Sequence, residues 1–179
     1  MVILFGGLVG TGKTELARAV AQHLNLFYYE IDRAKAEVIN ANVPLQFNMK
    51  YNRPYSEEAK LMIYSRALQH LRELSREHPH IVADEDFHKK HSRTLFFERI
   101  KESMGGLLFV WLTADENLVR ERLAARQRQG HLLKEPFGMY LAMKMSLNPC
   151  DEADIHFENN EPLDVSCAKL TGLVRARMA

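Results

Sequence analysis

Eight residues near the start of the chain, Gly7-Leu8-Val9-Gly10-Thr11-Gly12-Lys13-Thr14, carry the spacing G-x-x-x-x-G-K-[ST]. Glycines placed this way let the backbone turn tightly, so that successive N–H groups converge on a phosphate. Lys13 brings a positive charge to the β/γ-phosphates, and the Thr14 hydroxyl is a ligand for Mg²⁺. A helix opening at Lys13 adds the positive end of its dipole. The chemistry implied is the binding of a nucleoside triphosphate with its magnesium ion.

Three carboxylates and a group of arginines extend that chemistry. Asp84 closes an apolar run, Ile81-Val82-Ala83, where P-loop proteins keep the acid that orders Mg²⁺; Asp86, two residues on, competes for the role. Asp32 also follows a strand-like run. A carboxylate there can accept the proton of a substrate hydroxyl attacking the γ-phosphate, or it can serve as a helix N-cap. Arg120, Arg122, Arg126 and Arg128 crowd one helix and its exit, with Arg122 and Arg126 one turn apart on one face. Guanidinium groups brought over a transferring phosphate stabilise its charge, so a mobile lid covering the phosphates is expected here.

The elements that must hold these residues alternate between two periodicities. Unbroken apolar runs predict strands over 2–6 and 107–112. An aromatic and β-branched run predicts another over 27–32. Shorter runs give strands over 80–84 and 155–158. Apolar residues at helical spacing predict helices over 13–24, 33–40, 56–74, 88–104, 116–129 and 163–177, with a short one ending near 145. Ser56 and Asp115 are expected N-caps. The segment 42–55, rich in Asn, Pro and aromatics, is expected to be a long loop shaping a substrate site. Asn159-Asn160-Glu161-Pro162 reads as a turn, whose backbone could edge an adenine. Strand–helix alternation from end to end predicts a parallel sheet with helices on both faces and a ligand at the strands' carboxyl ends.

Composition narrows the class. The chain has 179 residues, 46% hydrophobic and 26% charged, as in an ordinary single-domain globular protein. A net charge of +1 supplies no global field for nucleic acid or membrane and leaves only a local basic groove open. Cys150 and Cys167 match neither a disulfide framework nor a metal spacing. With no membrane span and no basic leader, a cytoplasmic location is expected.

Taken together, F-G-G-x-x-G-T-G-K-T, I-D-R after the second strand, V-A-D-x-D-F at the third and an R-x-x-x-R helix resemble the small P-loop kinase family. Its relatives include nucleoside monophosphate kinases, gluconate kinase, chloramphenicol phosphotransferase and the 5′-kinase domain of polynucleotide kinase. The resemblance covers essentially the whole chain. It implies a five-stranded parallel sheet in the order 2-3-1-4-5, a lid at about 126–138 and a substrate region at about 33–60. It also implies that Asp32 is the general base, Asp84 the metal-associated acid, Arg122 the base-stacking arginine and Arg126 the phosphate-binding one. Two positions depart from the pattern. Lys35 stands where polynucleotide and antibiotic kinases usually have arginine, which keeps a charge but loses a bidentate grip. Asp86 stands where many relatives have threonine.

The expected activity is ATP-dependent, Mg²⁺-assisted transfer of the γ-phosphate to a hydroxyl of a small-molecule acceptor. A polynucleotide 5′-hydroxyl kinase is the enzymatic alternative, although the near-neutral chain offers no long basic stripe for backbone phosphates. An ATP-binding switch or assembly factor is the non-enzymatic one; it would keep Gly12, Lys13 and Thr14 but has little use for Asp32 or an arginine-rich lid. The sequence names neither the acceptor nor an oligomeric state.

Overall fold

The computed structural model describes residues 1–50, 56–128 and 135–178, with the side chains of 47–50 excepted. Five parallel strands form one sheet in the order β2-β3-β1-β4-β5. They are β1 (Val2–Gly7), β2 (Phe27–Glu30), β3 (Ile81–Glu85), β4 (Leu107–Thr113) and β5 (Ile155–Glu158). The described helices are α1 (Lys13–His23), α2 (Ile31–Asn40), α3 (Val43–Lys50), α4 (Glu57–Leu74), α5 (Lys90–Ser103), α6 (Glu116–Arg128), α7 (Pro136–Met145) and α8 (Leu163–Met178).

Alternation along β1 decides the layers, because successive strand side chains point to opposite faces. Ile3 and Phe5 join Leu16, Val20, Val110 and Leu170 beneath α1 and α8. Val2 and Leu4 join Ile31, Leu71, Phe96 and Phe109 beneath α2, α4 and α5. With a core on each face, β1 is buried along its whole length, which is why it reads as an unbroken apolar run. Register brings the functional ends to one rim: Phe5 is opposite Asp84, Gly6 opposite Glu85 and Gly7 opposite Leu112.

Several expectations needed correction. The segment expected to be a loop over 42–55 contains α3. Asn42 starts that helix, its Oδ1 accepting from the Leu45 N–H at 3.3 Å, and Pro44 falls in the first turn, where its missing N–H costs nothing. Residues 51–55 lie outside the described residues. The second strand stops at Glu30 and the helix begins at Ile31, so Asp32 sits in the first turn of α2, which Glu30 precedes as N-cap. Asp32 is therefore not the cap. The third strand runs on to Glu85, one residue past Asp84, because Glu85 still pairs with Gly6. His88 precedes α5 rather than lying on it. Ser56 and Asp115 cap as expected, the first accepting from Ala59 at 3.2 Å and the second from Asn117 at 2.8 Å.

One buried charge ties α5 to the segment that leads into β5. Arg93, on α5, has no exposed side-chain surface. Its Nε donates to Glu152 Oε1 at 2.5 Å, and its remaining N–H groups meet the carbonyls of Phe87, Asn148 and Pro149. The clasp pins the approach to β5 against the residues that follow β3.

Candidate active site

The cradle is built by the turn between β1 and α1. Gly10 and Gly12 both take φ = +85°, left-handed backbone that glycine adopts without the Cβ penalty. Thr11 closes the turn on itself, its Oγ1 donating to the Leu8 carbonyl at 2.8 Å. Lys13 then opens α1, whose first N–H groups have no partner within the helix. Gly7 through Thr14 thus run from the end of β1 through the turn into the first residues of α1, at the positive end of that helix.

Asp84 reaches this loop from β3. Thr14 Oγ1 donates to its Oδ2 at 2.6 Å, and the Tyr28 hydroxyl, from β2, donates to Oδ1. Burial, reinforced by the Asp84 charge, pushes the Tyr28 pKa well above its ordinary value, so the phenol stays protonated as a donor. Arg18 lies over the Tyr28 ring and pairs with Glu30 at 2.9 Å. A hydroxyl and a carboxylate side by side at the cradle are the hard oxygen donors that suit Mg²⁺. That ion usually takes one or two protein ligands beside substrate phosphates. Among the described residues no group of three or more His, Cys, Asp or Glu side chains converges as a metal site.

Beyond Asp84 the rim turns polar. A cleft of about 90 Å³ lies between α2, α4 and the start of α5, lined by Lys35, Lys60, Tyr64, Glu85, Asp86 and Lys89 among others. Burial, with the Asp86 charge beside it, pushes the Glu85 carboxyl up to about 7. Burial works the same way on Asp86, but the His88 partner at 3.0 Å and the charge of Lys13 outweigh it and hold that carboxyl below its ordinary value. Asp32 has two thirds of its side chain exposed and lies 3.3 Å from the ammonium of Lys35, which lines the cleft.

Not all four arginines of α6 face the cradle. Arg122 Nη1 donates to the Thr11 carbonyl at 3.2 Å, and Arg126 lies 3.3 Å from Glu15 in the first turn of α1. Arg120 instead stacks its guanidinium 3.8 Å from the centre of the Phe137 ring, which joins α6 to α7. Helix α6 ends at Arg128. Of the expected lid, 129–134 lie outside the described residues.

Two contributors escaped the sequence reading. Tyr28 looks like an ordinary strand aromatic. Asn159, placed in a turn, is a buried side chain whose Nδ2 donates to the Thr11 carbonyl at 2.8 Å.

Sheet order, cradle and facing acid define a P-loop nucleotide-binding protein of α/β class. The chain belongs to the AAA domain family, whose sequence profile matches residues 2–149. No curated protein matches it by sequence. Solved structures match in fold. A gluconokinase from Sinorhizobium meliloti 1021 is 17% identical with a TM-score of 0.65, over 99% of this chain and 97% of that one. A sugar kinase from Janibacter sp. HTCC2649 is 16% identical with a TM-score of 0.73, over 97% and 94%. A shikimate kinase from Bacteroides thetaiotaomicron is 19% identical with a TM-score of 0.64, over 98% of each. These matches bear out the resemblance to small P-loop kinases and the 2-3-1-4-5 sheet. Among the described residues no helix is long and apolar enough to cross a membrane.

Proposed function

We propose that this chain is a single-domain, ATP-dependent phosphotransferase that moves the γ-phosphate to a hydroxyl of a small polar acceptor. The observation that carries the reading is the polar cleft beside the cradle, at the strand end next to Asp84. A nucleotide switch has no need of such a second site. The gluconokinase, sugar kinase and shikimate kinase that share the fold support the reading.

Each residue has a task. Gly7, Leu8, Val9, Gly10, Thr11 and Gly12 wrap the phosphates with backbone N–H groups, and Lys13 holds the β/γ-phosphates. Thr14 and Asp84 would hold Mg²⁺, which supplies charge neutralisation on the phosphate oxygens when bound. Asp32 takes the acceptor's proton as its oxygen bonds to the γ-phosphorus and the bond to the β-phosphate oxygen breaks. Arg126 releases Glu15 to meet the transferring phosphate, Arg122 packs on the base, and the segment about 126–138 closes as a lid. Residues 33–60 and the cleft select the acceptor.

The test is ADP release over a panel led by gluconate, other sugars and shikimate, followed by nucleosides, antibiotics and 5′-hydroxyl oligonucleotides. One small hydroxyl compound should stimulate ADP release strongly. Asp32→Asn should fold, bind ATP and lose roughly 10²–10⁴ in transfer rate, the usual worth of a general base. Stimulation by the oligonucleotide alone refutes a small acceptor. Wild-type transfer by Asp32→Asn refutes the base.

A further inference from the structure

The turn after β5 reaches the cradle from behind. Asn159 is 3% exposed and its side chain donates to the carbonyl of Thr11, 148 residues away. Its own backbone N–H is fixed on the Thr113 carbonyl at the end of β4, at 2.8 Å. The next residue, Asn160, accepts from the Asp115 N–H at the start of α6, also at 2.8 Å. The same turn therefore grips the cradle, the sheet and the helix that carries Arg122.

The atom it grips matters. In a trans peptide the carbonyl of one residue and the N–H of the next point in opposite directions. Holding the Thr11 carbonyl outward, toward Asn159, aims the Gly12 N–H inward, where the cradle meets phosphate. Gly12 sits at φ = +85°, and a glycine there is free to flip. Two donors prevent that, Asn159 Nδ2 at 2.8 Å and Arg122 Nη1 at 3.2 Å, and a carbonyl has lone pairs for both.

We propose that Asn159 is a positioning residue for phosphate binding: it locks the Thr11–Gly12 peptide and shares that carbonyl with Arg122, so the cradle stays formed when the lid arginine lets go. The proposal rests on the reading that the cradle binds nucleotide phosphates. It gives Arg122 two partners, the carbonyl when the site is empty and the nucleotide when it is filled, with Asn159 as the permanent hold.

Calorimetric titration with inorganic tripolyphosphate, which has no base for Arg122 to stack on, tests this in the full chain. The proteins are wild type, Asn159→Ala, Arg122→Ala and the double variant. Asn159→Ala should bind ATP, which draws Arg122 away, roughly tenfold more weakly, the scale of one buried hydrogen bond, and tripolyphosphate, which leaves Arg122 on the carbonyl, by a smaller factor. The double variant should lose more than the product of the two single losses, since only then is the peptide unheld. A side chain that merely fills space lowers the melting temperature but leaves the two losses multiplicative. Asn159→Leu, of similar volume and without a donor, replaces the alanine variant if that one does not fold. In the wild-type protein the Asn159 side-chain amide protons should exchange slowly with solvent. Wild-type affinity in the Asn159 variants, a strictly multiplicative cycle or fast amide exchange overturns the proposal while nucleotide binding stands. A wild-type protein that binds neither ligand overturns both.

Discussion

Gly12→Ala measures how tightly the cradle is held. The new Cβ would lie 2.5 Å from Asn159 Nδ2 and 3.5 Å from Arg122 Nη1, so the amide must withdraw and its bond to the Thr11 carbonyl breaks. Left-handed backbone at a residue with a Cβ costs roughly 1–2 kcal/mol. The buried Asn159 amide, forced off its acceptor, costs about 1–3 kcal/mol more as an unpaired donor. The sum, about 2–5 kcal/mol, lowers the melting temperature of a chain this size by roughly 4–20 °C. Most of a typical stability of about 5–15 kcal/mol survives, so ATP titration remains possible at 25 °C and should show weakened binding. Combining Gly12→Ala with Asn159→Ala separates the two costs, because without the amide there is no collision. The added alanine at Gly12 should then cost only about 1–2 kcal/mol. Melting by circular dichroism and calorimetric titration give both numbers. Gly12→Ala melting within about 2 °C of wild type and binding ATP as tightly would refute the description of a loop braced from behind.

Three other outcomes are expected. Lys13→Ala should weaken ATP binding and cut turnover at least roughly 10²-fold, the worth of one charge-stabilising donor, as measured by titration and steady-state kinetics. Arg126→Ala should lower kcat more than it raises KM for ATP, while Arg122→Ala should do the reverse; wild-type kinetics in both would make α6 a plain solvated surface. Arg93→Met should cost about 3 kcal/mol, the lower end for a broken buried pair, since Glu152 keeps a third of its side chain in water. Burial alone would raise the Glu152 carboxyl, but Arg93 holds it below the ordinary 4.5. A depressed carboxylate stabilises above its unfolded value and loses that contribution as pH falls. The gap in stability between wild type and Arg93→Met should therefore narrow from pH 5 to pH 3 in urea melts, and a gap that widens would contradict the pairing.

The cradle was legible because everything it needs is local: glycine spacing, lysine and hydroxyl follow one another within eight residues. The sheet order was legible through resemblance, and the strands through unbroken apolar runs that only a twice-covered sheet requires. Asn159 was not, because its partner is Thr11, far along the chain, and Asn-Asn-Glu-Pro has a sufficient local reading as a turn. Asn42-Val43-Pro44 misled for a related reason, since asparagine and proline end one element or begin another. Two signals were present and unused. Arg120 and Arg122 are about 200° apart on a helix while Arg122 and Arg126 are about 40° apart, which already assigns Arg120 to a different face. Arg93 falls on the stripe of Phe96, Phe97 and Ile100, all buried, so its burial was written in the helical period.

The position of β1 at the middle of the sheet has a consequence for synthesis. Val2 pairs with Ile81 on one side and Leu107 on the other, so this strand leaves the ribosome 79 residues ahead of its nearer partner. At roughly 5–20 residues per second, that is a wait of about 4–16 s. Throughout it Ile3, Leu4 and Phe5, fully buried in the finished fold, have no sheet to join, and, once made, the apolar face of α1 has nothing to cover. An exposed apolar strand with free edges is the species that aggregates or is captured by a chaperone. The nascent chain should thus bind a holding chaperone from early in translation and let go only once β4 has emerged.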